Sequence, residues 1–150
     1  MKKTDPVKMI VIAMVLITAL VAIFYLTTRK SIPENTLCIE HGDQAVELSL
    51  EQLKLIQVQG TVVNGKGEER TVDAQGILLS EVLREAGITD FSEVTVTADD
   101  EYSAVVTVEE IVASDRVYLI QQEKGGMQLT VFGDSNSKRN VSDIARLLVQ

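Results

Sequence analysis

The sequence predicts a single mixed-sheet α+β domain preceded by one N-terminal transmembrane helix. Three observations lead there. From Met9 to Leu26 the chain is apolar, with no charge, Pro or Gly. The remainder reads as many short strands with two or three short helices among them, the pattern of a mixed domain. Trp is absent and aromatics make up only 4% of the chain, so the core has to be built from Val, Ile and Leu. At 150 residues there is room for one ordinary domain and an appendage.

The apolar run MIVIAMVLITALVAIFYL continues uncharged through Thr27 and Thr28. At about 1.5 Å per residue it nearly crosses a hydrocarbon core of about 30 Å. Each central Leu, Ile or Val favours insertion by roughly 0.3–0.6 kcal/mol. The competing reading is a cleaved secretory signal, with an apolar stretch of about 7–15 residues before a small-x-small site. Thr18-Ala19 and Leu20-Val21-Ala22 fit such a site poorly, and Cys38 lies too far beyond the run for a lipoprotein. The expected organisation is a cytoplasmic N-terminus over 1–8, an anchor over 9–28, a linker over 29–36 (RKSIPENT) and a folded domain over 37–150. Lys2, Lys3 and Lys8 outnumber Arg29 and Lys30, which places the N-terminus in the cytoplasm. The expected location is the cell membrane, single-pass, with the C-terminal domain extracytoplasmic.

The formal net charge is -8, and it is unevenly spread. After residue 30 there are nine basic residues against twenty-one acids, a net of -12. Such a surface repels phosphate backbones, so nucleic acid is excluded as a partner class. The lone Cys38 cannot form an intramolecular disulfide or a thiolate cluster. It is read as a small buried hydrophobe in the first strand.

Leu37–Glu40 and Ala45–Leu48 read as two strands joined by His41-Gly42-Asp43. Ser49 and Gln52 fit a capping box, which predicts a short helix. Leu55–Val63 reads as a strand, Asn64-Gly65-Lys66-Gly67 as a turn and Arg70–Ala74 as the returning strand. The centre of the chain is the stretch Gln75–Val112. Leu78, Leu79, Val82, Leu83 and Ala86 fall at helical spacing, and Gly87 with Ile88 makes a Schellman stop. Val94 and Val96 then alternate with Glu93, Thr95 and Thr97 as a half-buried strand, an acidic turn follows, and a second strand leads to the capping box Thr107–Glu110. Val117–Gln121 and Leu129–Phe132 read as strands about the turn Lys124-Gly125-Gly126, and Gly133–Asn140 as a polar loop. The segment Val141–Val149 suits either a helical face or a terminal strand.

The order QGILLSEVLREAGI, EVTVTADDEYSAVVTVEEI, strand, KGGMQL and closing apolar segment resembles the sulfite-oxidase-like oxidoreductase molybdopterin-binding domain family. Gly76, Leu79, Val82-Leu83 and Ala86-Gly87 match the family's glycine-led helix. Asp100-Glu101-Tyr102 stands where an Asp-Gly-Tyr turn is usual, and Gly126-Met127-Gln128-Leu129 where Gly-x-Pro-Leu is usual. The resemblance covers roughly Leu37 to Val149. It implies a domain of sulfite-oxidase molybdopterin-binding type, in which catalytic members hold molybdenum through a cysteine thiolate in a loop upstream of that helix. The comparable place here is Val58 to Asn64, and it holds no cysteine. A soft metal of this kind wants a sulfur ligand. For the pterin phosphate the loop cations Lys66, Arg70, Lys138 and Arg139 are the candidate cofactor-binding residues, with His41 beside them in kind.

A sole histidine, His41, removes multi-histidine metal sites and weakens any nucleophilic triad. Asp99-Asp100-Glu101 offers oxygens to a hard cation, although an acidic turn needs no ligand to explain it. Asp134-Ser135-Asn136-Ser137 starts like a calcium loop and fails, because Lys138 takes the next ligand position and Ala145 the closing one. The Lys124-Gly125-Gly126 and Ser137-Lys138-Arg139 loops suit either an anion or ordinary turns. Tyr102, Tyr118 and Phe132 pack a core or line a small pocket. The expectation is a membrane-anchored, extracytoplasmic, non-catalytic binding or accessory module of an envelope system, with an envelope protein as partner, no catalytic residue, no metal ligand and no cofactor. The alternatives are a molybdopterin-dependent oxidoreductase and a small-ligand sensor.

Overall fold

The computed structural model describes residues 6–28 and 35–150, with side chains described over 9–24 in the first of these. It divides into two units, Met1–Ser31 and Ile32–Gln150. The expected cytoplasmic end and the linker fall largely on residues 1–5 and 29–34, outside the described residues.

The first unit holds helix α1, Pro6–Thr28, whose described large side chains from Met9 to Phe24 are exposed. Among the described residues no helix is long and apolar enough to cross a membrane. The described apolar side chains cover 9–24, about 24 Å at the helical rise, against a hydrocarbon thickness of about 30 Å. The membrane anchor over 9–28 is therefore corrected, and with it the membrane helix in the expected fold class and the single-pass placement. The single mixed sheet is corrected too: the second unit is a mixed α/β domain with two sheets.

The five-stranded sheet is made of β1 (Thr36–His41), β2 (Gln44–Ser49), β5 (Glu93–Ala98), β6 (Ser103–Thr107) and β9 (Ile144–Val149), in the order β2-β1-β9-β5-β6. Only the β1–β9 pair is parallel. His41 pairs with Gln44, so the first hairpin turns through Gly42 and Asp43 alone rather than through three residues. Alternation along β1, β5 and β6 sends Leu37, Ile39, Val94, Val96 and Val106 to one buried face. The ambiguous C-terminal segment is a strand, with Leu147 between Ile39 and Val96.

The four-stranded sheet has the order β3 (Ile56–Val63), β4 (Glu69–Leu78), β7 (Val117–Gln121) and β8 (Met127–Val131), antiparallel throughout. The helix expected from Leu78 begins at Leu79, because Gly76–Leu78 pair with Tyr118–Ile120 and extend β4. Helix α2 (Leu79–Glu85) buries Leu79, Val82 and Leu83. Its end is the predicted Schellman stop: Gly87 has φ of 76°, and the Ile88 N–H donates to the Leu83 carbonyl at 2.9 Å. Helix α3 (Val108–Ala113) starts on the predicted capping box, Thr107 with Glu110. The other predicted box fails. Ser49 makes no side-chain cap, and Leu50–Gln52 form a single 3-10 turn.

One apolar core joins the buried face of the five-stranded sheet to α2, α3, β7 and β8 through Leu37, Leu79, Leu83, Leu119, Leu129 and Leu147. A smaller cluster of Val58, Val62, Ile120 and Phe132 lies elsewhere on the four-stranded sheet. Cys38 is half-buried rather than core, on the β1 positions that alternate with Leu37 and Ile39.

Candidate functional site

The strand β3 reads IQVQGTVV, and its alternation puts Ile56, Val58, Gly60 and Val62 on one face. Val58 and Val62 are buried there, and the Phe132 ring lies over Gly60. A Cβ at position 60 would fall inside the contact radius of that ring, so the missing side chain is what admits it. The ring is fixed from both sides in sequence. The Phe132 N–H donates to the Arg116 carbonyl at 2.9 Å, and the Gly133 N–H donates to the Thr61 carbonyl at 3.0 Å. Tyr118 packs against Phe132 with ring centroids 5.4 Å apart and planes at 56°, a tilted pair. One backbone bond thereby ties the loop after β8 to Thr61 of β3.

Val58 to Asn64 is the place where the family resemblance would put a metal-holding loop. Its residues do not fit molybdenum. Val58–Val63 are ladder residues paired with Ala74–Glu69, and the only sulfur of the chain able to be a thiolate is Cys38. Cys38 lies in the other sheet, in register with Glu47 and Arg146.

The four candidate phosphate-binding cations fall on two elements. Lys66 and Arg70 belong to the β3–β4 hairpin and are exposed. The turn between them is organised by Asn64, whose Oδ1 accepts from the Lys66 and Glu68 N–H groups. Lys138 and Arg139 lie in the 3-10 turn Ser137–Arg139 before β9, where Asn136 caps the Lys138 N–H. Lys138 is exposed, and its carbonyl accepts from the Tyr102 hydroxyl.

Arg139 is committed inside the protein. Its Nη2 donates to Glu110 Oε1 at 2.7 Å, and its Nε lies 2.7 Å from Asp134 Oδ2 as a charge contact without hydrogen-bond alignment. The Arg139 side chain is 22% exposed, so it is a poor free cation for a ligand. Its hydrogen bond holds the Glu110 carboxyl below its ordinary value, opposed by burial and aided by the Thr107 N–H. The same hydrogen bond raises Arg139, which stays charged in any accessible pH.

A carboxyl depressed in the folded state adds stability above its unfolded pKa and loses it as pH falls through the folded one. Glu110→Gln is accordingly expected to cost about 1 kcal/mol at pH 7 after allowance for screening. The gap to the unmodified protein should begin to narrow as pH falls below about 4.3, the ordinary Glu value, and should close only below the depressed folded value. Urea midpoints in a series from about pH 7 down to about pH 2 check this, and a gap of undiminished size at the acid end contradicts it.

The clefts formed among the described residues include two on the second unit. One, of about 360 Å³, is lined by Asp99, Asp100, Tyr102, Asn140 and Asp143 at the β5–β6 turn and the approach to β9. Asp100 Oδ1 accepts from the Tyr102 N–H at 3.0 Å. Among the described residues no group of three or more His, Cys, Asp or Glu is placed to hold a metal ion. The failed calcium loop is likewise occupied internally, with Asp134 Oδ1 accepting from the Asn136 N–H at 2.9 Å.

The larger cleft, of about 520 Å³, lies at the start of β3. Leu48, Leu53 and Ile77 give it an apolar lining, Ile56 contributes to it at 52% exposure, and Lys54 and Glu85 are among its charged residues. Arg84, also lining it, pairs with Glu81 on the same helix. Sequence reasoning missed this cleft, because Leu53 and Ile56 lie in a stretch that reads only as helix-then-strand. The one available signal is the phase of β3, which gives Ile56 the face of Val58 and leaves it uncovered. Neither a family model nor a curated protein matches the chain.

Proposed function

We propose that residues 35–150 form a non-catalytic binding module, an accessory domain with the outline of the molybdopterin-binding domains it resembles and without a seat for their metal. The observation that carries this reading is the Phe132 ring seated over Gly60. Where a thiolate and its metal would need space and a sulfur, this chain has a paired strand under an aromatic ring. The cations that would hold a pterin phosphate do not gather there, and Arg139 is already bound to carboxylates. The open apolar-lined cleft at Leu53, Ile56 and Ile77 suits recognition, since binding clefts are concave, mostly apolar and fringed by a few polar groups.

The test is elemental analysis of the full chain, purified from cells that make the molybdenum cofactor and shown by circular dichroism to be folded. The expected result is molybdenum at background level. Stoichiometric molybdenum that stays with the chain through gel filtration overturns the reading.

A further inference from the structure

Strand β3 is an edge of its sheet, and half of its backbone groups turn away from β4. In an antiparallel pair, bonded and non-bonded positions alternate. The Asn64 N–H donates to the Glu68 carbonyl at 2.9 Å, which makes Val62, Gly60 and Val58 the bonded positions. The outward Thr61 carbonyl, taken by Gly133, agrees with that phase. Gln57 and Gln59 therefore direct their N–H and C=O groups off the sheet, and among the described residues no turn or loop bond reaches them.

Edges of this kind are normally blunted by Lys, Pro, a bulge or a covering loop, and here the loop at Gly133 bonds to Thr61 and leaves Gln57 and Gln59 uncovered. Strand β3 has no charged residue, no Pro and an unbroken register from Ile56 to Val63. The apolar-lined cleft opens at its first residue, Ile56.

We infer that β3 accepts an extended, basic segment of a partner protein as an added strand. Its backbone bonds to Gln57 and Gln59, and one apolar side chain lodges between Leu53, Ile56 and Ile77. Strand addition supplies affinity through main-chain bonds and specificity through pockets for alternate side chains. The charge decides between occupants: a chain carrying -12 beyond residue 30 draws in a basic segment and repels a second copy of itself. This inference rests on the binding-module reading and names the partner of its cleft.

The experiment uses the full chain in mild detergent and a synthetic peptide of alternating lysine and valine as probe. Amide exchange at Gln57 and Gln59 is expected to slow roughly tenfold or more on saturation, and binding to weaken as salt is raised. Gln59→Pro removes an outward N–H and spares the ladder to β4, and is expected to weaken binding roughly tenfold, the equivalent of one good hydrogen bond. Ile56→Asp, at an exposed position, is expected to do the same and decides the matter if the proline variant does not fold.

Binding without protection at Gln57 and Gln59 overturns the inference. So does unchanged affinity in the folded variants, equal affinity for a glutamate–valine peptide, or a dimer of the free chain that protects the same two amides. Molybdenum uptake, the failure of the parent reading, is a separate measurement that none of these outcomes mimics.

Discussion

Replacing Phe132 with Ala is expected to destabilise the domain by about 3–5 kcal/mol, the range for removing a large aromatic from a packed site. Phe132 is 9% exposed and holds Val58, Val62 and Ile120 in one cluster. Its loss leaves a hole lined by those side chains and by the bare backbone of Gly60. Gly60→Ala by itself is expected to cost about 1–3 kcal/mol, because the new methyl meets the ring. In the Phe132→Ala background the same methyl has room, so the second substitution should cost nothing or recover stability. Chemical denaturation of the four proteins gives the coupling directly. Additive losses would mean that the ring does not sit over the glycine.

A second large effect is expected at Leu147. As a β9 residue it is fully buried between Ile39 and Val96, and Leu147→Ala should cost about 2–5 kcal/mol. Its neighbour Leu148 points to the opposite, half-exposed face, and Leu148→Ala should cost no more than about 1 kcal/mol. The contrast between adjacent positions is the mark of a period of two. Similar costs at both positions would contradict the strand.

Much of the fold was legible in local sequence, and particular residues show why. Gly87 and Ile88 specify a helix stop within a few residues of each other, and Thr107 with Glu110 specifies a helix start. Signals of that kind survive folding because their partners are neighbours. Ser49 with Gln52 fits the same capping-box pattern and makes only a 3-10 turn, with Leu53 drawn into the core directly afterwards. Leu78 looks helical by spacing and is extended, because the ladder bonds of Gly76–Leu78 to β7 outweigh propensity.

The candidate site was less legible. The absence of a cysteine from Val58 to Asn64 is plain in the sequence, but its meaning depends on Phe132, which arrives from some seventy residues away. No periodicity announces that meeting. The division into two sheets is hidden in the same way, since it follows from β9 joining β1 rather than β8. The apolar N-terminal run is obvious by composition, yet the described side chains of α1 fall short of a membrane's width.

The position of β9 has a consequence for how the protein is made. Ile39 and Leu147 lie roughly a hundred residues apart and are adjacent strand partners, so the β1–β2 hairpin emerges from the ribosome with an open flank and waits. Long-range pairings of this kind slow folding and prolong exposure to aggregation. Completion of the larger sheet therefore waits for β9, and until that strand is inserted between β1 and β5 the flank of the hairpin stays open to other chains.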